Sequence, residues 1–240
     1  MKSLAWEGAH GPIEDSYFEK TAMRKISGLQ ILIFSSTLTL IVIFAVTLDA
    51  AIFWHVPLAD FRGVVMTAFG IFLIYVMAIA AYRLMLWRFP LLPGEFPIAS
   101  QQEFVYHVYI LFFLLLFYPV MRSGIVPVPI MRLFYQALGA KMGENSYSSG
   151  IMFDPSFVRM GKNCIIGQSA QIIPHAIEGE RLAMYPILLG DNVTVGANAI
   201  VFADVVIGNN AIIAAGAVVS KGARILDGEA WGGVPAKRLK

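Results

Sequence analysis

Cysteine occurs once in the 240 residues, at Cys164, so no intrachain disulfide can form and no thiol cluster exists to hold zinc. Charge is scarce as well. Lys and Arg number 18 against 16 Asp and Glu, a net charge of +2, and charged residues make up only 14% of the chain. With no basic run interleaved with aromatics, this balance excludes a nucleic-acid-binding reading. Residues 1–28 lack the short apolar core followed by a small-residue cleavage site that marks a cleaved signal peptide, so the first apolar segment is read as structure.

Apolar residues fill the space that charge leaves. They make up 58% of the chain, with a mean hydropathy of +0.68, and an ordinary soluble domain is less apolar than this. Residues 29–48 are 20 positions without a charge and residues 64–82 are 19, each long enough for a helix to cross about 30 Å of hydrocarbon. Arg83, Trp87 and Arg88 follow the second run, as basic and aromatic anchors do at a membrane interface. Residues 91–97, LLPGEFP, read as a loop.

A third uncharged run covers residues 104–121 and carries His107, which is either a site or a residue turned toward a protein neighbour. A proline-broken piece follows, then a short amphipathic helix over residues 132–138. Four basic residues (Lys2, Lys20, Arg24, Lys25) precede the first span, Arg62 lies between the spans, and Arg83 and Arg88 follow the second. The tail and the second loop are therefore expected on the cytoplasmic side of a bacterial-type inner membrane. A full third crossing would place the rest of the chain outside. Residues 104–138 are instead expected to form a re-entrant or interfacial hairpin, broken between Pro119 and Pro129, that returns it to the cytoplasm. The expected organisation is a tail and two transmembrane helices over 1–103, this hairpin and its connector over 104–141, and a third unit over 142–240.

That third unit has a period of six. Leu189, Val195, Val201, Ile207, Ile213, Val219, Ile225 and Trp231 recur without a break, and the fourth position beyond each is small, as at Ala199, Ala211 and Ala217. A period of six fits neither an amphipathic helix nor a hairpin sheet. It fits a hexapeptide β-solenoid, in which each side of a triangular coil buries one large and one small residue. Cys164 falls on a small inward position and reads as core.

Met142, Asp154, Met160, Ile166 and Ile172 are in phase with one another but not with Leu189. Asn145, Asn163, Asn192, Asn210 and Gly228 mark one recurring corner, where a left-handed backbone favours Asn or Gly. Their spacings of 18, 29, 18 and 18 give about five 18-residue coils, starting at 142, 160, 189, 207 and 225, with an eleven-residue loop over 178–188. A loop that interrupts a strict repeat is where function is expected, and His175 stands just before it. On this register Phe157 lies one rung before His175 and Asp204 one rung after. Asp204 is either the carboxylate that orients the imidazole or a solvated corner residue. Asp154, a carboxylate at an inward position, needs a partner and is either a cap near the end of the solenoid, the favoured reading, or part of the site.

The segments GAKMGEN, DPSFVRMGKN, LGDNVTVGANA, AAGAVVSKGA and WGGVPAKRLK, with the His175 loop, together resemble the left-handed β-helix acyltransferases of the hexapeptide-repeat class over residues 139–240. The membrane half, with PGEFPI and the apolar run into LFYQALGAKMG, is similar in layout to the membrane-bound carboxy-terminal modules of nonribosomal peptide synthetases such as polylysine synthetase. The resemblance implies a membrane helical half joined to a left-handed parallel β-helix. It also implies a homotrimer with active sites between subunits, and acyl-CoA, in particular acetyl-CoA, as co-substrate with no metal. His175 would be the general base; Asp204 joins it as a catalytic candidate from the register alone. Ala197, Ala215 and Gly216 would line the pantetheine path, and Lys221, Lys237 and Arg238 would meet the phosphates. Asp204 stands where soluble members carry glycine, and Thr194 where they often carry an aromatic. The expected reaction is acyl transfer to a hydroxyl or amine of an acceptor associated with the lipid bilayer. The alternatives are an amide-forming transferase fed by a phosphopantetheine thioester on an acyl carrier protein, and a catalytically silent trimerising scaffold.

Overall fold

The computed structural model describes residues 24–240; Lys2 and Lys20, which enter the orientation argument, lie outside the described residues. Two long helices, α1 (Gly28–Phe53) and α2 (Arg62–Arg88), form on the first two apolar runs. A capping box starts α1: the Gln30 N–H donates to Ser27 Oγ and the Ser27 N–H donates to Gln30 Oε1 at 2.6 Å. In their most apolar stretches only 17% of α1 and 6% of α2 is buried within the chain. Most of their apolar side chains therefore face outward, away from the rest of the described chain. By length and composition, three segments among the described residues can cross a membrane: Gly28–Phe53, Ala59–Arg88 and Gln101–Arg122.

The third segment breaks inside the expected stretch between Pro119 and Pro129, and Pro119 itself stays helical. Helix α3 (Gln101–Phe112) passes through a π-helical turn (Phe113–Phe117) into α4 (Tyr118–Arg122) without leaving helical geometry. Pro119 sits in the first turn of α4, and the wider π turn before it absorbs the missing N–H and the ring. The chain breaks later, at residues 123–127, and re-enters a helix at α5 (Val128–Ala137). Half of the third segment is buried, because it lies along the end of the solenoid. Tyr109 reaches Asp154 and, further along the same helical run, the Tyr118 ring stands 5.6 Å from Phe153.

Residues 141–232 wind as a triangular parallel solenoid. One face stacks Lys141–Met142, Val158–Met160, Ile187–Leu189, Val206–Ile207 and Arg224–Ile225. A second stacks Tyr147–Ser148, Ile165–Ile166, Thr194–Val195, Ile212–Ile213 and Ala230–Gly232. The third stacks Ile151–Met152, Gln171–Ile172, Ile200–Val201 and Val218–Val219. The second residue of each two-residue strand points inward, so Ile166, Val195 and Ile213 form one buried column and Met152, Ile172, Val201 and Val219 another. Cys164 is fully buried in this core; burial pushes its thiol pKa up, which keeps it unreactive.

The corners carry the register. Asn145, Asn163, Asn192 and Asn210 have φ of 55 to 58°, and Gly228 continues the line at 72°. Each Asn amide donates to the side-chain oxygen of the next along this edge, at 3.0 to 3.1 Å. Glycine is required beside them. A Cβ at Gly143 would lie 2.5 Å from the backbone of Gly161.

In the first coil the count of six fails, and this corrects the expected place of Asp154. Met152, not Asp154, pairs with Ile172 and points inward. The second side closes after only four residues, from Ser148 to Met152, and a 3₁₀ turn at Pro155–Phe157 restores the total before Met160. Asp154 is thereby moved to a corner, at φ 47°. The eleven-residue insertion is also more ordered than a loop. His175–Glu178 and Arg181–Met184 form an antiparallel hairpin, and the outer strand pairs with Gly94–Glu95 from the connection between α2 and α3.

Asn192 should separate the two roles of these corners. Asn192→Gly keeps the left-handed backbone and loses only the amide ladder, whereas Asn192→Ala also places a Cβ in a conformation that costs about 1–2 kcal/mol. In detergent, thermal melting should rank wild type above Gly and Gly above Ala.

Candidate active site

The third face of the second coil ends at Ile172, and the chain leaves the solenoid at Pro174 to enter the hairpin with His175 as its first residue. The hairpin closes on itself where the Tyr185 N–H donates to Pro174 O at 2.9 Å and His175 pairs with Met184. Two ion pairs hold the tip: Arg181 with Glu95 at 3.0 Å and Lys221 with Glu178 at 2.8 Å. The Lys221 ammonium keeps the Glu178 carboxyl below the usual carboxylate range. His175 is thus fixed by backbone on the solenoid side and by charge on the other.

His175 Nδ1 lies 2.6 Å from Asp154 Oδ2. Asp154 Oδ1 accepts from Tyr109 Oη of α3 at 2.7 Å. The carboxylate is 1% exposed while the imidazole is 24% exposed, so the anion is sealed and its partner faces an opening. With both carboxylate oxygens occupied, the neutral imidazole carries its proton on Nδ1 and presents Nε2 as a free base. Burial lowers the His175 pKa, but the hydrogen bond to Asp154 and its negative charge outweigh that and leave it raised above the ordinary imidazole value. The Phe153 ring meets the imidazole edge-on, with centroids 5.8 Å apart, and excludes water from one side.

A pocket of about 500 Å³ opens beside His175, lined by Ile173, Phe202, Ala203, Ser220 and Lys221. On the other side of the hairpin a smaller groove of about 210 Å³ separates Ile177 and Leu182 from Ile110 and Leu114 of the third helical segment. His175 therefore joins a strand that has one cavity against the solenoid and another against the third helical segment.

Asp204 does not reach His175, although it lies one rung on. Its backbone turns left-handed at φ 61° and its carboxylate pairs with Arg224 at 3.0 Å. The orienting carboxylate is Asp154, from the rung before, brought there by the two-residue shift within the first coil. Lys221 is the predicted donor-binding residue that shares the His175 pocket. Ala197, Ala215 and Gly216 line the preceding corner, where the Gly216 N–H donates to Ala197 O at 2.9 Å. Lys237 and Arg238 lie on a final strand paired antiparallel to Trp231–Gly232, with Arg238 held by Glu229 at 3.1 Å.

Hexad arithmetic missed two participants. Asp154 leaves a signal, a carboxylate at a position that should be large and apolar, which admits a site as well as the favoured cap. Tyr109 leaves none, because nothing in an aromatic-rich apolar run marks the one hydroxyl that meets a carboxylate 45 residues later.

Asp154→Asn removes the charge that raises the His175 pKa and leaves the burial that lowers it. A histidine NMR titration should show the midpoint falling from above the ordinary imidazole value to below it.

Residues 186–221 match the sequence family described as bacterial transferase hexapeptide, six repeats. No curated protein matches the chain. Among solved structures, a hexapeptide-repeat-containing acetyltransferase from Vibrio cholerae is similar at 23% identity and a TM-score of 0.40, over 42% of this chain and 62% of its own. A maltose O-acetyltransferase from Clostridium difficile is similar at 25% identity and a TM-score of 0.39, over 43% and 59%. A galactoside acetyltransferase solved with coenzyme A is similar at 25% and 0.37, over 41% and 53%. The chain spans less than two thirds of the length of each. The stretch that carries the transferase hexapeptide repeat is thus the part of the solenoid that follows directly on the His175 hairpin.

Proposed function

We propose that the protein is a membrane-anchored acyltransferase, a left-handed β-helix enzyme that moves an acyl group of the acetyl class from a CoA thioester to a hydroxyl or amine of a membrane-associated acceptor. One observation carries this reading: a base, a sealed carboxylate and a tyrosine from a membrane helix form one hydrogen-bonded line across the two halves of the chain.

His175 takes the acceptor proton on Nε2 as the acceptor oxygen or nitrogen attacks the thioester carbonyl, and Asp154 stabilises the imidazolium that forms. Backbone N–H groups beside the pocket stabilise the tetrahedral oxyanion. As the C–S bond breaks, His175 returns its proton to the departing sulfur, so the free thiol leaves and the base is restored. The apolar pocket with Lys221 at its edge fits a pantetheine arm and a phosphate. The predicted donor-lining residues at the neighbouring corner do not share this pocket, which supports a homotrimer in which a second copy completes the donor track. The groove between Ile177 and Leu114, both largely exposed, supports delivery of an amphipathic acceptor from the bilayer side. The layout shared with peptide-synthetase membrane modules makes a carrier-protein thioester the alternative donor, with an amide as product.

His175→Ala should lower turnover by about 10² to 10⁴ while the oligomeric state stays unchanged. Because the base works only when neutral, kcat/KM should climb with pH and level off above the raised His175 pKa. Acetyl-CoA and a loaded carrier protein, assayed side by side, separate the two donors. Unchanged turnover in His175→Ala would remove His175 from the mechanism, and no turnover in the wild type with either donor would favour the scaffold reading.

We place the solenoid on the cytoplasmic face of the inner membrane. A cysteine introduced at Lys240 should resist a membrane-impermeant maleimide in intact cells and react after permeabilisation, with the buried Cys164 silent in both. Labelling of intact cells would reverse the orientation.

A further inference from the structure

A second pocket, of about 500 Å³, lies between the end of α2 and the first face of the solenoid, and none of its lining residues belongs to the His175 pocket. Three cations line it, Arg83 from α2 with Lys141 and Arg159 from the solenoid, and no carboxylate does. Among the described residues, Arg24, Lys162, Arg181, Lys221, Arg224 and Arg238 have a carboxylate partner; Arg83, Lys141 and Arg159 are among the cations that do not, and one pocket brings these three together.

The arrangement costs stability as it stands. Lys141 and Arg159 are register partners on adjacent strands, and like charges directly opposite one another on a sheet repel. Arg83 adds a third charge, packed against the bare backbone of Gly139. Gly139 has φ 113°, and a Cβ there would collide with the Arg83 guanidinium and lie 3.1 Å from the Ser156 side chain. The bare backbone of Gly139 leaves the space that Arg83 occupies. Trp87, Leu86 and Leu91 form the apolar rim, at the helix end where aromatic and basic anchors mark the lipid headgroup level.

We infer that this pocket binds a phosphate group, and that the headgroup of an anionic membrane lipid supplies it. Arg83 and Arg159 offer planar donor forks suited to phosphate oxygens and Lys141 a point charge, while the Trp87 rim accepts the start of the acyl region. This site goes beyond the transfer reaction and does not depend on it.

The test uses the full chain in detergent micelles doped with phosphatidic acid or with phosphatidylcholine, or supplied with inorganic pyrophosphate at constant ionic strength. Melting temperature is the readout, since a ligand that binds only the folded state raises it. Phosphatidic acid should stabilise the wild type and phosphatidylcholine should not. In Lys141→Gln/Arg159→Gln the apparent affinity for phosphatidic acid should fall by roughly 30-fold, at the strength typical of two basic side chains near an anionic surface. That variant removes a repulsion, so its melting temperature without lipid should be no lower than wild type. Lys162→Gln, a surface charge elsewhere on the solenoid, should keep the full shift. Stabilisation by phosphatidic acid alone assigns a lipid headgroup. Stabilisation by pyrophosphate as well keeps the phosphate site and overturns the lipid source. No shift with either, or an equal shift in the double variant, overturns the site.

Discussion

Asp154 is an anion that the chain has almost entirely removed from water. A buried carboxylate is tolerable only with donors on its oxygens, and Asp154 takes one from each half of the molecule, Tyr109 from the helical half and His175 from the solenoid hairpin. The rest of the architecture follows from having to satisfy that one group. The third helical segment must lie along the solenoid for Tyr109 to arrive. The first coil must be shortened on its second side and lengthened on its third for Asp154 to leave the core and reach the corner. The hairpin must depart where it does for His175 to meet the remaining oxygen.

The solenoid can meet these demands because its stability does not depend on them. Each later coil is held by its neighbours through inward columns of Ile and Val and through the Asn ladder at one corner. Such repeats approximate a sum of nearest-neighbour terms, so irregularity in the first coil and an insertion after the second do not disturb the coils beyond. The distorted end is also where the aromatic residues gather: Phe113, Tyr118 and Phe153 pack between helix and solenoid beside His175. Rigid repeat and irregular site are thus separated along the axis of the solenoid.

The repeat itself was legible residue by residue, down to the left-handed corners at Asn145, Asn163, Asn192 and Asn210, because a strict period is a local property of sequence. The coil starts at 142, 160, 189, 207 and 225 also stand as strand partners. What was not legible is what breaks the period. Asp204 has the right register for His175 but the wrong side-chain direction, and register alone does not encode direction. Asp154 was out of place by two residues that Pro155 and its 3₁₀ turn give back, so the total of 18 concealed the slip. The break between Pro119 and Pro129 was legible too, but not that Pro119 itself stays helical: a proline breaks a helix unless the turn before it widens, and the π turn at Phe113–Phe117 does so.

The short strand Gly94–Glu95 leaves a trace in how the protein is made. It lies between the second and third helical segments and serves as the edge on which Arg181–Met184 is laid. It is therefore synthesised, with the helix that precedes it, before the hairpin that needs it exists. The amino-terminal half acts as a template waiting for the nascent solenoid. The His175 corner is completed only when the chain emerging later finds that edge, which ties the geometry at His175 to an edge made much earlier in the sequence.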